Sequence, residues 1–99
     1  MLSIRKQIEK DLVTLSLEGR LDTTTAPELE TELTGALDGA ASLIFDFAGL
    51  EYISSAGLRV LLSAQKRMNI QGKMQLINVN DAIMEILEVT GFTDILTIV

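Results

Sequence analysis

Leu43-Ile44-Phe45-Asp46-Phe47 is a nearly continuous apolar run of strand length, bounded by Ala-Ser on one side and Ala-Gly on the other. A run of this kind predicts a central strand buried on both faces, which needs neighbouring strands at its sides and helices against its faces. The flanking sequence supplies both. Upstream, Leu2, Ile4 and Ile8 alternate with polar residues, as do Val13, Leu15 and Leu17, so two strands are expected, with Glu9-Lys10-Asp11 as the turn of a hairpin. Thr25-Ala26-Pro27-Glu28 reads as a capping box with proline in the first helical turn. The helix it opens carries Leu29, Leu33, Ala36 and Leu37 on one face, and Gly39 closes it.

Downstream the alternation continues. A second helix is expected from Ser54 or Ser55 to about Met68, with Leu58, Leu61 and Leu62 inward and Arg59, Ser63, Lys66 and Arg67 outward. Lys66 and Arg67 then fall in its last turn, where they complement the helix dipole. Lys73 to Val79 is another strand, Asn80-Asp81 caps a third helix that Gly91 stops, and Ile95 to Val99 is a last strand. The expected fold is therefore α/β: a mixed sheet of about five strands, an N-terminal hairpin followed by alternating helix and strand, flanked by helices. Residues 1–99 fit one domain, since 99 residues with 47% hydrophobic content make one core.

Composition narrows the chemistry. The chain has no Cys and no His, which removes disulfides, Cys/His zinc sites, Cys nucleophiles and Ser-His-Asp hydrolysis. Fourteen Asp and Glu outnumber eight Lys and Arg, and a net charge of -6 speaks against a phosphate-backbone binder, so no nucleic-acid partner is expected. Met1-Leu2-Ser3-Ile4-Arg5-Lys6 has no signal-peptide pattern, and no apolar run approaches the roughly 20 residues that span a bilayer. The expectation is a cytoplasmic protein without direct membrane insertion, without a cofactor, and monomeric.

In an open α/β sheet the functional crevice lies beyond the carboxyl ends of the strands. The segments expected there are the loops Gly19-Arg20-Leu21-Asp22-Thr23-Thr24 and Ala48-Gly49-Leu50-Glu51-Tyr52-Ile53-Ser54-Ser55. Ser55 is the expected N-cap of the second helix, accepting from the amide of Gly57 or Leu58. Gly57 is costly inside a first helical turn, so its presence points to something approaching the backbone closely. Asp22, Asp46 and Glu51 are the only carboxylates near this crevice, a weak basis for magnesium chemistry. Tyr52 reads as structural.

The segment Phe45-Asp46-Phe47-Ala48-Gly49-Leu50-Glu51-Tyr52-Ile53-Ser54-Ser55-Ala56-Gly57-Leu58, followed by Arg59-Val60-Leu61-Leu62, resembles the signature of the STAS domain, specifically of the stand-alone bacterial anti-sigma factor antagonists. Gly19-Arg20-Leu21-Asp22 resembles the family's second, shorter motif, and the order of elements matches over essentially the whole chain. The resemblance implies that Ser55 is phosphorylated by a serine kinase anti-sigma factor or related switch kinase, that Asp22 sits beside it, and that a PP2C-like phosphatase resets the switch. The chain departs from the commonest pattern at Ser54, where the family often has aspartate; Ser54 is thus the alternative acceptor. The implied partner surface comprises Asp22, Thr23, Thr24, Glu51, Ser54, Ser55, Ala56, Gly57, Leu58 and Arg59, with Arg59 on the exposed stripe one turn past Ser55. The resemblance also admits an alternative, a STAS subunit of a lipid or anion transport system that binds a membrane complex.

Overall fold

The computed structural model describes residues 1–99. The N-terminal hairpin forms as expected: β1 (Leu2–Glu9) pairs antiparallel with β2 (Leu12–Leu21), in a register running from Leu2↔Gly19 to Glu9↔Leu12. Lys10, with φ 58°, supplies the left-handed backbone that its two-residue connection requires. The chain then continues through α1 (Ala26–Ala36), β3 (Ser42–Ile53), α2 (Ser55–Gln71), β4 (Lys73–Ile77) and α3 (Asp81–Val89). The strands lie in the order β1-β2-β3-β4, with β2, β3 and β4 mutually parallel.

The sheet has four strands where about five were expected. After α3, Gly91 takes φ 80° and the chain turns through a single 3-10 turn at Phe92–Asp94. Ile95 is still helical in conformation, so little chain remains to pair. Only a parallel bridge, Leu76↔Ile98, stands where the fifth strand was expected. It is held by Leu76 N–H donating to Thr97 at 2.9 Å and Val99 N–H donating to Leu76 at 2.9 Å.

β3 is buried on one face, not on both. The crossovers from β2 to β3 and from β3 to β4 step in the same direction across the sheet, so right-handed connections place their helices on the same side. Burial along β3 shows the result: Leu43, Phe45 and Phe47 are buried, while Ile44 and Asp46 on the opposite face are only partly covered. On β2, Val13, Leu15 and Leu17 are buried beside them and Thr14 and Ser16 are not. The rings of Phe45 and Phe47 lie 6.0 Å apart and tilted by 56° under the helices. Leu29, Leu33 and Ala36 of α1 join this core, as do Leu58, Leu61, Ala64 and Met68 of α2 and Ile83 and Leu87 of α3.

The end of α2 differs from expectation. α2 runs to Gln71, so Lys66 and Arg67 are not in its last turn. Arg67 instead ties α2 to the end of α1, donating to Asp38 at 2.6 Å, while Gln71 Nε2 donates to the carbonyls of Leu37 and Ala40 at 2.6 and 2.7 Å. Asn80 caps α3 as expected: its Oδ1 accepts from Ile83 N–H at 2.9 Å and its Nδ2 donates to Leu50 at 2.9 Å, fixing α3 against β3.

Candidate functional site at the carboxyl ends of β2 and β3

Both segments expected as loops are largely strand. Gly19-Arg20-Leu21 belongs to β2, and Ala48 to Ile53 to β3. Between the partners Ser16↔Asp46 and Leu21↔Ile53 the β3 strand spends two more residues than β2, at register shifts between Ser16 and Glu18 and between Gly19 and Arg20. These are bulges, and they change the spacing of the buried residues from Leu43, Phe45, Phe47 to Leu50 and Ile53. That loss of alternation made the segment read as a loop.

The consequence is a fixed platform. Arg20 pairs with Tyr52 and Leu21 with Ile53, and Ser54 N–H donates to the Leu21 carbonyl at 2.9 Å, so Asp22 and Ser54 leave the sheet side by side. Arg20 lies with its guanidinium carbon 4.2 Å from the centre of the Tyr52 ring and its Nε 3.8 Å from Asp22 Oδ2. Tyr52 is therefore an exposed surface group and not a core residue. Sequence reasoning missed this pair because the bulges hide the cross-strand partner; the one available signal was Arg20 inside the Gly-Arg-Leu-Asp motif.

Asp22 organises the turn before α1. Its Oδ1 accepts from the amides of Thr24 and Thr25, each at 3.0 Å, and the buried Thr25 hydroxyl accepts from Asp22 N–H at 2.9 Å and donates to the Arg20 carbonyl at 2.8 Å. The expected capping box does not form, because the Thr25 hydroxyl is spent backwards on β2 and makes no cap bond into α1. The Thr25 amide, foremost among these donors, holds the Asp22 carboxyl below the ordinary carboxylate range. A group whose folded-state value is depressed stabilises the fold above its unfolded value, and this contribution is lost as pH falls through the folded one. Thermal melts of the wild type and Asp22→Asn should therefore differ most near neutral pH and converge below about pH 3.9; a gap that persists undiminished in acid would contradict this.

At the start of α2 the roles of the two serines are exchanged. Ser54 is the N-cap, with extended backbone and its Oγ accepting from Gly57 N–H at 3.4 Å, while Ser55 is the first helical residue. The displacement follows from the strand: β3 stays paired to Ile53, so the chain turns one residue earlier than a loop would permit. Ser55 is exposed and its hydroxyl makes no hydrogen bond.

The remaining expected partner residues divide by burial. Thr23, Thr24, Glu51 and Arg59 are exposed, and Ala56 is half-buried. Gly57 and Leu58 are buried and cannot form a partner surface. What approaches Gly57 is the protein itself: a Cβ there would lie 2.7 Å from Leu21 Cγ and 2.9 Å from Ile53 Cγ1. The glycine lets α2 sit directly on the ends of β2 and β3. Asp22, Asp46 and Glu51 do not converge: no group of three carboxylates is placed to hold a metal, and Asp46 is engaged on Ala48 N–H and Asn78 Nδ2.

These features define a two-layer α/β domain with one bare sheet face and an uncommitted serine hydroxyl at an exposed helix start. The sequence profile of the STAS domain matches residues 3–99, and the chain belongs to that family. It is 37% identical over 81 residues to BtrV of Bordetella bronchiseptica, described as a candidate anti-sigma factor antagonist, covering 80% of this chain and 70% of that one. It is 29% identical over 97 residues to the anti-sigma-B factor antagonist of Staphylococcus aureus, covering 96% and 90%. Among solved structures, the phosphorylated form of the Bacillus cell fate determinant SpoIIAA superposes with a TM-score of 0.76 at 16% identity, over 98% of this chain and 87–91% of SpoIIAA across its two forms. No helix is long and apolar enough to cross a membrane.

Proposed function

We propose that this protein is an anti-sigma factor antagonist that works as a phosphorylation switch in the cytoplasm. Unphosphorylated, it binds a serine kinase anti-sigma factor and frees the sigma factor; phosphorylated on Ser55, it lets go, and a PP2C-like phosphatase restores it. The observation that carries the reading is the Ser55 hydroxyl: exposed, without a hydrogen bond, and next to the residue that caps α2. The antagonist names of the two curated relatives support the same class and give no support to the transport alternative.

The chemistry asks little of this chain. The kinase transfers the terminal phosphoryl group of ATP to Ser55 Oγ, ADP departs, and the hydroxyl proton passes to the kinase's own base. The protein's part is presentation. A rigid helix start holds the hydroxyl outward, and the free amides and positive dipole end there accommodate the added charge. Phosphorylation adds about -1.5 to -2 charge to a surface that already carries Asp22 and Glu51, so a partner covering it meets repulsion and desolvation cost.

Incubation with cell extract and ATP, followed by mapping of phosphate by mass spectrometry, tests the assignment. Phosphate on Ser55 is the expected result. Phosphate on Ser54 instead would move the site to the capping residue, and absence of phosphate under every condition would overturn the switch.

A further inference from the structure

Ser55 and Arg59 stand one above the other on α2, at the i and i+4 positions where helix side chains meet. Long helical side chains lean toward the N-terminus, so a guanidinium at position 59 is within reach of the first turn. Both residues are exposed. Arg59 takes part in no ion pair, unlike Arg20, which Asp22 and Tyr52 engage, and Arg67, which Asp38 holds. The other charged groups around the start of α2 are Asp22, Arg20 and the Met1 amino group at the hairpin end, while Glu51 on β3 faces the start of α3.

We propose that a phosphate on Ser55 is held by Arg59 of the same helix, so that phosphorylation withdraws a free cation from the partner-facing surface while it adds an anion there. A phosphate monoester offers three strong acceptor oxygens, and a guanidinium matches them with paired donors. In the unmodified protein Arg59 is available to an acidic group on the partner; after modification it is occupied internally. The switch then acts by capture as well as by repulsion. The inference rests on Ser55 as the acceptor and concerns what the phosphate does once it is there.

The test uses full-length protein with phosphoserine installed at position 55 during synthesis, which makes the result independent of any kinase. Phosphorus NMR follows the second ionisation of the phosphate. An opposite charge favours the dianion, so this pKa is expected about half a unit lower in the wild type than in Arg59→Gln. Arg59→Lys should restore part of the shift, and Arg20→Gln should leave it in place because Arg20 is already engaged. Asp22, Glu51 and the Met1 amino group are common to all variants and cancel in the comparison. The Arg59 Nε–H signal should also move with the phosphate titration. Equal pKa values in the wild type and Arg59→Gln, or a shift abolished by Arg20→Gln and not by Arg59→Gln, would overturn the proposal. Either result leaves Ser55 standing as acceptor, which the phosphate mapping decides separately.

Discussion

Protein carrying phosphoserine at position 55 should bind the proposed kinase partner about a hundredfold more weakly than the unmodified form, a difference of about 2.8 kcal/mol. Ser55→Asp, with a smaller charge and no tetrahedral fork of oxygens, should lose about tenfold. Ser55→Ala should bind as tightly as the wild type and remain bound in the presence of ATP. The partner can be isolated with Ser55→Ala as bait and the affinities measured by calorimetry. An aspartate at the first position of α2 faces the positive end of the helix dipole, so Ser55→Asp should melt no lower than the wild type. Weaker binding at undiminished stability is thus the signature of a surface effect. Equal affinity of the Ala and Asp variants would sink the assignment of Ser55 as the switch.

The second large effect is structural and lies two residues further on. Gly57→Ala gains helix propensity worth up to about 1 kcal/mol. Against that, the added Cβ meets Leu21 Cγ at 2.7 Å and Ile53 Cγ1 at 2.9 Å, inner atoms of two side chains that are 0% and 2% exposed and have nowhere to move. Overpacking of this kind costs about 1–3 kcal/mol. We expect the clash to win and the domain to lose roughly 5–15 °C in melting temperature. The start of α2 should also shift relative to Asp22, so the variant should be a poorer kinase substrate even where it is folded. A melting temperature equal to or above that of the wild type would show that the ends of β2 and β3 are softer than their packing implies.

Much of this domain is legible from local pattern. Periodicity located the hairpin, and Leu29, Leu33 and Ala36 are on the buried face of α1 as their spacing requires. Asn80 announced the start of α3, because a capping side chain acts on amides only two or three residues away. The motif segment falls where β3 runs into α2, so Ser55 and Asp22 follow the ends of adjacent strands.

What sequence could not supply was register and side. The nearly continuous apolar run at Leu43 to Phe47 looked like a strand with two buried faces, yet Ile44 is only partly covered, because the direction in which successive crossovers step decides where the helices pile up. The two bulges of β3 carried the strand past Ala48 to Ile53, and that extension moved the cap to Ser54 and released the hydroxyl of Ser55. It also brought Arg20 over Tyr52, a pair separated by more than thirty positions in the chain and by one strand spacing in the fold.

The sequence by itself determined the order of elements as far as α3, most of the buried residues of the helices and the location of the motif, since each depends on residues a few positions apart. The tertiary structure decided the single covered face of the sheet, the burial of Gly57, and which serine caps and which is free. Those depend on how distant segments pair, and the register of that pairing is invisible to local pattern.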